Sequence, residues 1–256
     1  AAFQTTPRAS RAHRSSSIYS ELRRGYHSSM NVNRDHTLVP WDTIDTVLLD
    51  MDGTLLDLNY DNQIFSHLLP SAFADYHSLT LEEARQQLND HMAKLKGTMD
   101  FYRLDYWHEA TKVDVLALHE QAADLIRFLP SAEAFLKVLS KHGKRVLIVT
   151  NADRQSFTIK DRALQLTTRV NEVISSHDFG SPKEDNAFWV WLTEQFAINP
   201  KNTLFVDDTP RVLRAAEVFG IAHTLAVAQP DQKRPPRDMQ DWTSFKHYDH
   251  LIAELG

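Results

Sequence analysis

Asp50 and Asp52 stand two residues apart, directly after the apolar run formed by residues 46–49. That run is β-branched or aliphatic throughout and is bounded by polar residues, which predicts a buried parallel strand. In open α/β sheets, reactive groups collect just beyond the carboxyl ends of the strands, so both carboxylates are expected at such an end. Gly53 then lets the backbone turn sharply where a ligand approaches closely. A solvated turn uses the same residue types, so this pair by itself leaves its chemistry open.

Two further predicted element ends carry groups that are suited to phosphate. Thr150 and Asn151 follow the apolar run 146–149, where a hydroxyl and backbone N–H groups can bind phosphate oxygens at a helix start. A simple helix cap by Asn151 or Asp153 explains the same residues equally well. Lys183 falls in the first turn of a predicted helix that starts at Ser181. Its charge would oppose the helix dipole there, which favours a functional role, and a lysine is a compact charge suited to phosphate.

Asp207 and Asp208 follow another predicted strand, residues 203–206. Two adjacent carboxylates after a buried strand are unfavourable without a cation nearby. Mg²⁺ binds in such places through one or two carboxylates together with substrate phosphate and waters. An acidic cap for the following helix explains one of the two aspartates but not both, so the sequence predicts a Mg²⁺ site.

The elements that must position these groups alternate between helix and strand from residue 131 onward. This alternation implies a parallel sheet wrapped by helices. Residues 58–130 instead show helical spacing, with a capping box of Thr80 and Glu83 at the start of one helix. The predicted fold is therefore α/β, with a Rossmann-like parallel sheet core and an inserted helical cap domain. We assign residues 37–58 and 131–256 to the core, 59–130 to the cap and 1–36 to a disordered N-terminal extension.

The composition limits the classes of function. The 256 residues are 42% hydrophobic, enough for a sizeable core, and they include no cysteine. Disulfides and thiolate metal sites are therefore excluded, which fits a reducing cytoplasm. The longest apolar runs, such as residues 187–192, are far shorter than a membrane span. The net charge of −6 disfavours nucleic acid as a partner, so we expect a cytoplasmic protein with no membrane or nucleic-acid partner.

The first 29 residues differ in charge from the rest, with five arginines and a single acid, Glu21. This Arg- and Ser-rich composition matches an organellar transit peptide. It also matches an extension translated upstream of the true start, because Met30 stands just before the segment that leads into the first strand. We favour the second interpretation, and with either one we expect this segment to be disordered.

The four sites together resemble, in residue identity, order and strand-end placement, the four motifs of the haloacid dehalogenase-like phosphohydrolases. The resemblance covers about residues 40–256. It implies a helical cap of the C1 type between the first and second strands. Some longer stretches are similar to the bacterial nucleotidases of this family that act on GMP and IMP: residues 47–58, 104–107, 179–185 and 203–208. The implied substrate is a purine nucleoside monophosphate, and the oligomeric state is left open.

This resemblance also implies a role for each residue. Asp50 would be the nucleophile that forms an aspartyl-phosphate, and Asp52 would protonate the leaving oxygen and then deprotonate water. Thr150, Asn151 and Lys183 would bind the phosphoryl group. The Asp50 carboxylate, the Asp52 backbone carbonyl and Asp208 would hold Mg²⁺, with Asp207 as a direct or water-mediated ligand. One departure concerns Val212, because many members carry an acid at this position, four residues after the metal aspartate.

The same residues are compatible with three other functions to different degrees. A phosphatase for another small ester, such as phosphoglycolate or a sugar phosphate, is the strongest. A dehalogenase is disfavoured, because it would leave Asp52 and the acidic pair without a role. A non-catalytic binding protein is disfavoured because Asp50, Asp52, Lys183 and Asp208 are all present. The aromatic residues 101, 102, 106 and 107 are expected mainly to pack in a core, with purine stacking as the minority interpretation.

Overall fold

The structure, a computed structural model, describes residues 37–256, and the disorder predicted for residues 1–36 lies outside them. Within the described residues, six strands form one parallel sheet in the order β3-β2-β1-β4-β5-β6. Their bounds are β1 Thr46–Leu49, β2 Arg145–Thr150, β3 Glu172–Ser175, β4 Thr203–Asp207, β5 His223–Val227 and β6 Ser244–Phe245. The predicted α/β fold with a Rossmann-like parallel sheet is confirmed.

The central strand β1 is apolar on both faces because helices cover the sheet on both sides. Val47 and Leu49 pack into one apolar cluster and Leu48 into another, as the alternation of side chains along a strand requires. All four β1 residues are buried. Buried central strands of this kind have nearly continuous hydrophobic sequences, which is why β1 was predictable.

Residues 59–130, called the helical insert below, separate β1 from β2, and all of their regular elements are helical. The insert comprises α1 Asn59–Gln63, a π-helical segment Ile64–Leu68, α2 Leu69–His77, α3 Leu81–Leu95, a 3₁₀ turn Met99–Tyr102, α4 Leu104–Thr111, α5 Val115–Gln121 and a 3₁₀ turn Ala123–Leu125. The predicted capping box at α3 is confirmed, since Thr80 Oγ1 accepts from Glu83 N at 3.2 Å and Glu83 Oε2 accepts from Thr80 N at 2.9 Å.

The insert has its own apolar cluster, which includes Leu69, Leu88, Trp107 and Val115. The two chain segments that connect it to the sheet pair with each other. Asp57 N donates to Arg127 O at 3.0 Å, and Leu129 N donates to Leu55 O at 2.8 Å. The chain therefore enters and leaves the insert at one place, close to the end of β1.

The remaining helices cover the two faces of the sheet: α6 Ala132–Lys141, α7 Arg154–Leu164, α8 Asn186–Gln195, α9 Pro210–Phe219 and α10 Asp249–Leu255. Short 3₁₀ turns lie at Trp41–Thr43, Leu166–Thr168, Ser176–Asp178 and Pro200–Asn202. Apolar residues of α6, α7 and α10 pack on the face of Val47, whereas those of α8 and α9 pack on the face of Leu48. None of the helices in residues 37–256 has the length and apolar character needed to cross a bilayer.

Two local features differ from the sequence-based prediction. The edge strand β6 was not predicted, because two residues are too few to show an alternating pattern, and it forms by pairing with β5. The position of Ser131 just before α6 predicts a local N-cap, but its hydroxyl accepts from no N–H group of the helix and instead donates to Asp249 Oδ1 at 2.7 Å. A contact with a helix distant in sequence thus replaces the local cap.

His119 of α5 should make the stability of the fold depend on pH. It is 1% exposed, and burial, assisted by the Lys160 ammonium, lowers its pKa to about 3. The unfolded chain has an ordinary histidine pKa of about 6.5. Below that pH the unfolded state binds a proton that the folded state does not, so the free energy of unfolding falls by up to about 1.4 kcal/mol per pH unit.

We therefore expect urea unfolding at pH 7 and pH 5 to show a smaller pH-dependent loss for His119→Gln than for the unsubstituted protein. His142→Gln is the matched control, because His142 is exposed and its replacement should leave the difference unchanged. Equal losses in all three proteins would contradict the assigned role of His119.

Candidate active site

The site residues predicted from the sequence meet at the carboxyl edge of the sheet. Leu49 of β1 is level with Ile148 of β2 and with Val206 of β4. The residues that follow on these three neighbouring strands are therefore brought side by side. One cavity of about 700 Å³ is lined by all seven of them, Asp50, Asp52, Thr150, Asn151, Lys183, Asp207 and Asp208, together with residues of the helical insert.

Lys183 reaches this edge from a turn, which corrects the prediction that it lies in the first turn of a helix. The helix α8 begins only at Asn186. Lys183 N donates to Asn151 Oδ1 at 2.9 Å, and Lys183 O accepts from Trp189 Nε1 at 2.7 Å. In a helix starting at Ser181 the Lys183 carbonyl would accept from a backbone N–H one turn later, but here a side chain uses that carbonyl.

The Lys183 ammonium is fully buried and has three acceptors. Its Nζ lies 2.5 Å from Asp50 Oδ1, 2.7 Å from Asp207 Oδ2 and 3.0 Å from Val149 O. Burial alone would lower the pKa of Lys183, but the carboxylates of Asp207 and Asp50 outweigh burial and raise that pKa above its ordinary value. Lys183 therefore stays protonated and provides a fixed positive charge beside Asp50.

Three carboxylates at this edge are short of positive charge. Burial raises the pKa of Asp50 well above its ordinary value, with Lys183 opposing and the other two aspartates adding to the rise. Burial also raises the pKa of Asp207 to about 6 and raises that of Asp208. The positive charges of Lys183 and, at Asp208, of Arg237 thus do not fully offset burial and mutual repulsion among three acids.

The same three aspartates fit a divalent cation. Ligand oxygens from Asp50, Asp207 and Asp208 all lie within 4.8 Å of one another, and all three residues are buried. Two oxygens bound to one Mg²⁺ at about 2.1 Å are at most about 4.2 Å apart, so only a small contraction is needed. No hydrogen bond among residues 37–256 ends on the Asp52 carbonyl oxygen, which leaves that predicted ligand available as well.

Arg237 is the charged partner of Asp208. Its Nη2 lies 2.6 Å from Asp208 Oδ2, while Val212 is buried among the apolar residues of one face of the sheet. The other oxygen, Asp208 Oδ1, accepts from Thr209 Oγ1 at 3.1 Å. Sequence reasoning missed Arg237, because it lies in a loop that carries no strand or helix pattern.

Asp52 lies opposite the acidic cluster and contacts a second buried lysine. Lys160 Nζ of α7 is 2.7 Å from Asp52 Oδ1 and 3.0 Å from Asp61 Oδ1 at the start of the insert. Burial raises the pKa of Asp52 to about 6, and the Lys160 charge opposes that rise. The sequence analysis identified neither Lys160 nor Asp61. The one available signal was the spacing of the polar residues Ser156 and Lys160, which are four residues apart and therefore lie on one face of α7.

Thr150 and Asn151 differ in how much of each side chain is available. Thr150 Oγ1 accepts from Ala152 N at 3.0 Å, so its hydroxyl proton can still be donated into the cavity. The Asn151 side chain accepts from Lys183 N and donates from Nδ2 to Glu184 Oε2 at 2.9 Å. Asn151 therefore holds the Lys183 turn in place and retains only one amide hydrogen for a ligand.

The aromatic residues of the insert fall into two groups. Phe101, Tyr102 and Trp107 line the cavity, and Tyr102 OH donates to Glu184 Oε1 at 3.3 Å, linking the insert to the turn of Lys183. Tyr106 instead stacks on His91 with a ring separation of 5.8 Å. Core packing thus accounts for Tyr106 and for Trp107, which is 1% exposed and belongs to the apolar cluster of the insert, whereas Phe101 and Tyr102 form an aromatic wall of the cavity.

The family follows from comparison with known proteins. The model of the haloacid dehalogenase-like hydrolase family matches residues 44–220, which is more than half of the chain. The chain belongs to this family. This hydrolase is also 33% identical over 220 residues to the GMP/IMP nucleotidase YrfG of Escherichia coli strain K12, covering 86% of this chain and 99% of that protein. The protein of the same name from Shigella flexneri matches to the same extent.

Comparison with solved structures supports the same fold. A crystal structure of an HAD phosphatase from Thermococcus onnurineus is similar with a TM-score of 0.69 and 18% identity, covering 83% of this chain and 98% of that one. The resemblance inferred from four short motifs is therefore confirmed at the level of family and fold.

Gly53 should tolerate no side chain in this hydrolase. Its φ is +84°, and an added Cβ would lie 2.9 Å from Asp208 Cγ and Oδ2 and 3.0 Å from Pro230 Cβ. Gly143 is a matched control, because its φ is +66° but an added Cβ has nothing within 4 Å. Both Gly→Ala changes introduce backbone strain of about 1–2 kcal/mol, and only the first adds crowding against the buried Asp208.

We expect Gly53→Ala to lower the free energy of unfolding by at least about 1 kcal/mol more than Gly143→Ala, the lower end of the effect of overpacking. Urea denaturation of the two variants measures this difference. If they were equally stable, the close approach of Gly53 to Asp208 would not constrain the site.

Proposed function

We propose that the protein is a Mg²⁺-dependent phosphomonoester hydrolase that acts through an aspartyl-phosphate on Asp50. The observation that carries this proposal is the environment of the Asp50 carboxylate. Lys183 fixes its Oδ1 at 2.5 Å, whereas no hydrogen bond among the described residues ends on Oδ2. One oxygen is thus oriented, and the other is available to attack a phosphorus atom in the cavity.

In the first half-reaction, Asp50 Oδ2 attacks phosphorus and the bond between phosphorus and the ester oxygen breaks. Asp52 gives a proton to the leaving oxygen, so the alcohol departs neutral. In the second half-reaction, Asp52 takes a proton from water as the water oxygen attacks the phosphoryl group. Inorganic phosphate leaves, the Asp50 carboxylate is regenerated, and Asp52 is again protonated.

The fixed charges of the site reduce the repulsion between two anions. Lys183 lies between Asp50 and Asp207, where it can also attract a phosphoryl oxygen. Mg²⁺ held by Asp50, Asp208 and the Asp52 carbonyl, with Asp207 directly or through water, would supply additional positive charge that stabilises the transferring phosphoryl group. Thr150 and the remaining Asn151 amide hydrogen would donate to the other phosphoryl oxygens.

The substrate that we propose is a purine nucleoside 5′-monophosphate, GMP or IMP. The support is the 33% sequence identity to a GMP/IMP nucleotidase over 99% of that protein's length, a match that includes the helical insert. We propose that the insert acts as the cap of this site. A cavity of about 700 Å³ lies within the range of about 300–1,000 Å³ usual for small-molecule sites, and its aromatic wall offers surfaces on which a base can stack. The cytoplasmic location stays a prediction.

A phosphatase for a smaller ester, such as phosphoglycolate or a sugar phosphate, is the second candidate. It would use the same catalytic residues, because these contact only the phosphoryl group and the leaving oxygen. A dehalogenase fits less well, because Asp52 and the Asp207-Asp208 pair would then have no chemical role.

Removal of divalent metal should abolish hydrolysis, and Mg²⁺ should restore it. We expect Asp208→Asn to raise the Mg²⁺ concentration that gives half the maximal rate by at least about tenfold, since it removes one charged ligand. Asp241→Asn is the control, because Asp241 is an exposed partner of Arg214 outside the cavity. Full activity of EDTA-treated, metal-free protein would show that the acidic cluster does not act through a metal.

The substrate preference is tested by comparing kcat/KM for GMP and IMP with the values for CMP, UMP and phosphoglycolate. We expect GMP and IMP to be preferred by about tenfold or more, which corresponds to about 1.4 kcal/mol of transition-state binding. A flat profile, or a preference for phosphoglycolate, would favour the second candidate and leave the catalytic assignments unchanged.

A further inference from the structure

Lys160 is a buried charge that the roles proposed so far leave unexplained. It lies on α7 and is 1% exposed, and its Nζ contacts Asp52 Oδ1 at 2.7 Å and Asp61 Oδ1 at 3.0 Å. Removing an ammonium group from water is strongly unfavourable unless it is paired. Its neighbours Phe157 and Ile159 pack in the apolar cluster of the sheet, so an apolar residue at position 160 would satisfy the packing of α7.

The surroundings of Lys160 restrict its movement. Nζ lies 5.3 Å from the centroid of the Tyr60 ring, and Tyr60 is held in turn by His119, whose Nδ1 is 2.9 Å from the Tyr60 hydroxyl. Both aromatic residues belong to the helical insert, whereas Lys160 belongs to the core. The ammonium thus has one carboxylate from the end of β1, one from α1 and an aromatic face beside it.

We propose that Lys160 is a positioning residue for proton transfer by Asp52. Through its ion pair with Oδ1 at 2.7 Å, it attracts an oxygen that has no hydrogen-bond partner among the described residues. This attraction favours one rotation of the carboxyl group and leaves Oδ2 to carry the proton that passes to the leaving oxygen. Through Asp61, the same ammonium connects Asp52 to the beginning of the insert, so the orientation of the acid depends on the position of the insert. This inference rests on the proposed phosphatase function.

A positioning role differs from direct binding of substrate. Lys183, which contacts the nucleophile, serves as the cation for the phosphoryl group, whereas Lys160 is paired with two carboxylates on the side of Asp52. Lys160 keeps its protons throughout the proposed cycle, and the transferred proton moves only between Asp52, the leaving oxygen and water. The loss of Lys160 should therefore affect only those steps in which a proton must be given or taken.

The first test uses two esters that differ in their need for an acid. Nitrophenyl phosphate has a stable leaving group and needs little protonation, whereas GMP releases an alkoxide and needs it fully. We expect Lys160→Met to reduce kcat for GMP at least about tenfold more than kcat for nitrophenyl phosphate, because general acids contribute about 10²–10⁴ in rate. Equal losses with both esters would overturn the proposal.

Lys144→Met is the matched control. Lys144 is a half-buried lysine whose Nζ donates to Trp41 O and Ile44 O, away from the cavity. This variant should lose stability without any change in the ratio of the two kcat values. If it changed the ratio as Lys160→Met does, general destabilisation would account for the effect and the proposal would be wrong.

A second test works even if Lys160→Met alone does not fold. Asp52→Asn is compared with Asp52→Asn/Lys160→Met, in which one anion and one cation are removed together. If Lys160 acts through Asp52, its loss in the Asp52→Asn background changes the residual rate with GMP by less than about threefold, because effects that act through one group are not additive. A further tenfold loss would mean that Lys160 contacts substrate directly, which overturns the proposal.

These outcomes are distinct from a failure of the proposed function. If the unsubstituted protein with Mg²⁺ hydrolysed neither ester, the phosphatase assignment itself would be wrong. If it hydrolysed both but responded equally to Lys160→Met with each, the phosphatase assignment would stand and only the role of Lys160 would fall.

Discussion

The contact of one buried lysine with two buried carboxylates is the interaction on which the rest of the site depends. Lys183 Nζ lies between Asp50 and Asp207, which come from the ends of two adjacent strands. Ionised carboxylates away from water require such a partner. The turn of Lys183 is held by Asn151 from a third strand end. The contacts around Asp50 thus form only when three neighbouring strands are paired in register and the segment before α8 is packed against their ends.

The arrangement of the chain follows from the same constraint. β1 lies in the middle of the sheet, so the residues after it are surrounded by the ends of β2 and β4. The helical insert begins nine residues after Asp50, at Asn59, and its two connecting segments pair beside the site. The insert therefore lies beside the carboxyl edge without interrupting the sheet. Strand ends supply the carboxylates of the cavity, and residues of the insert supply part of its wall.

Much of this could be predicted from sequence, because the predicted residues immediately follow short apolar strands. Asp50, Thr150 and Asp207 each mark a strand end, and parallel strands bring such ends together. Lys160 and Arg237 could not be predicted in this way. Their partners, Asp52 and Asp208, are more than 25 residues away in sequence, and neither lysine in a helix nor arginine in a loop has a distinctive pattern.

The start of α8 was mispredicted for a related physical reason. Ser181, Pro182 and Glu184 are favourable at a helix start, but local preference is weaker than the contacts that fix the neighbouring Lys183. The Asn151 side chain bonds to Lys183 N and to the Glu184 carboxylate, and the Trp189 indole bonds to Lys183 O. Departures from local preference of this kind are expected at functional sites.

In the proposed mechanism Asp50 becomes phosphorylated during every turnover. Acid quenching of the protein while it hydrolyses GMP or nitrophenyl phosphate with Mg²⁺, followed by peptide mass analysis, tests this directly. The peptide that contains Asp50 should carry the added mass of one phosphoryl group, and Asp50→Asn should show neither the adduct nor turnover. Turnover without an adduct on Asp50, together with substantial activity of Asp50→Asn, would contradict the proposed mechanism.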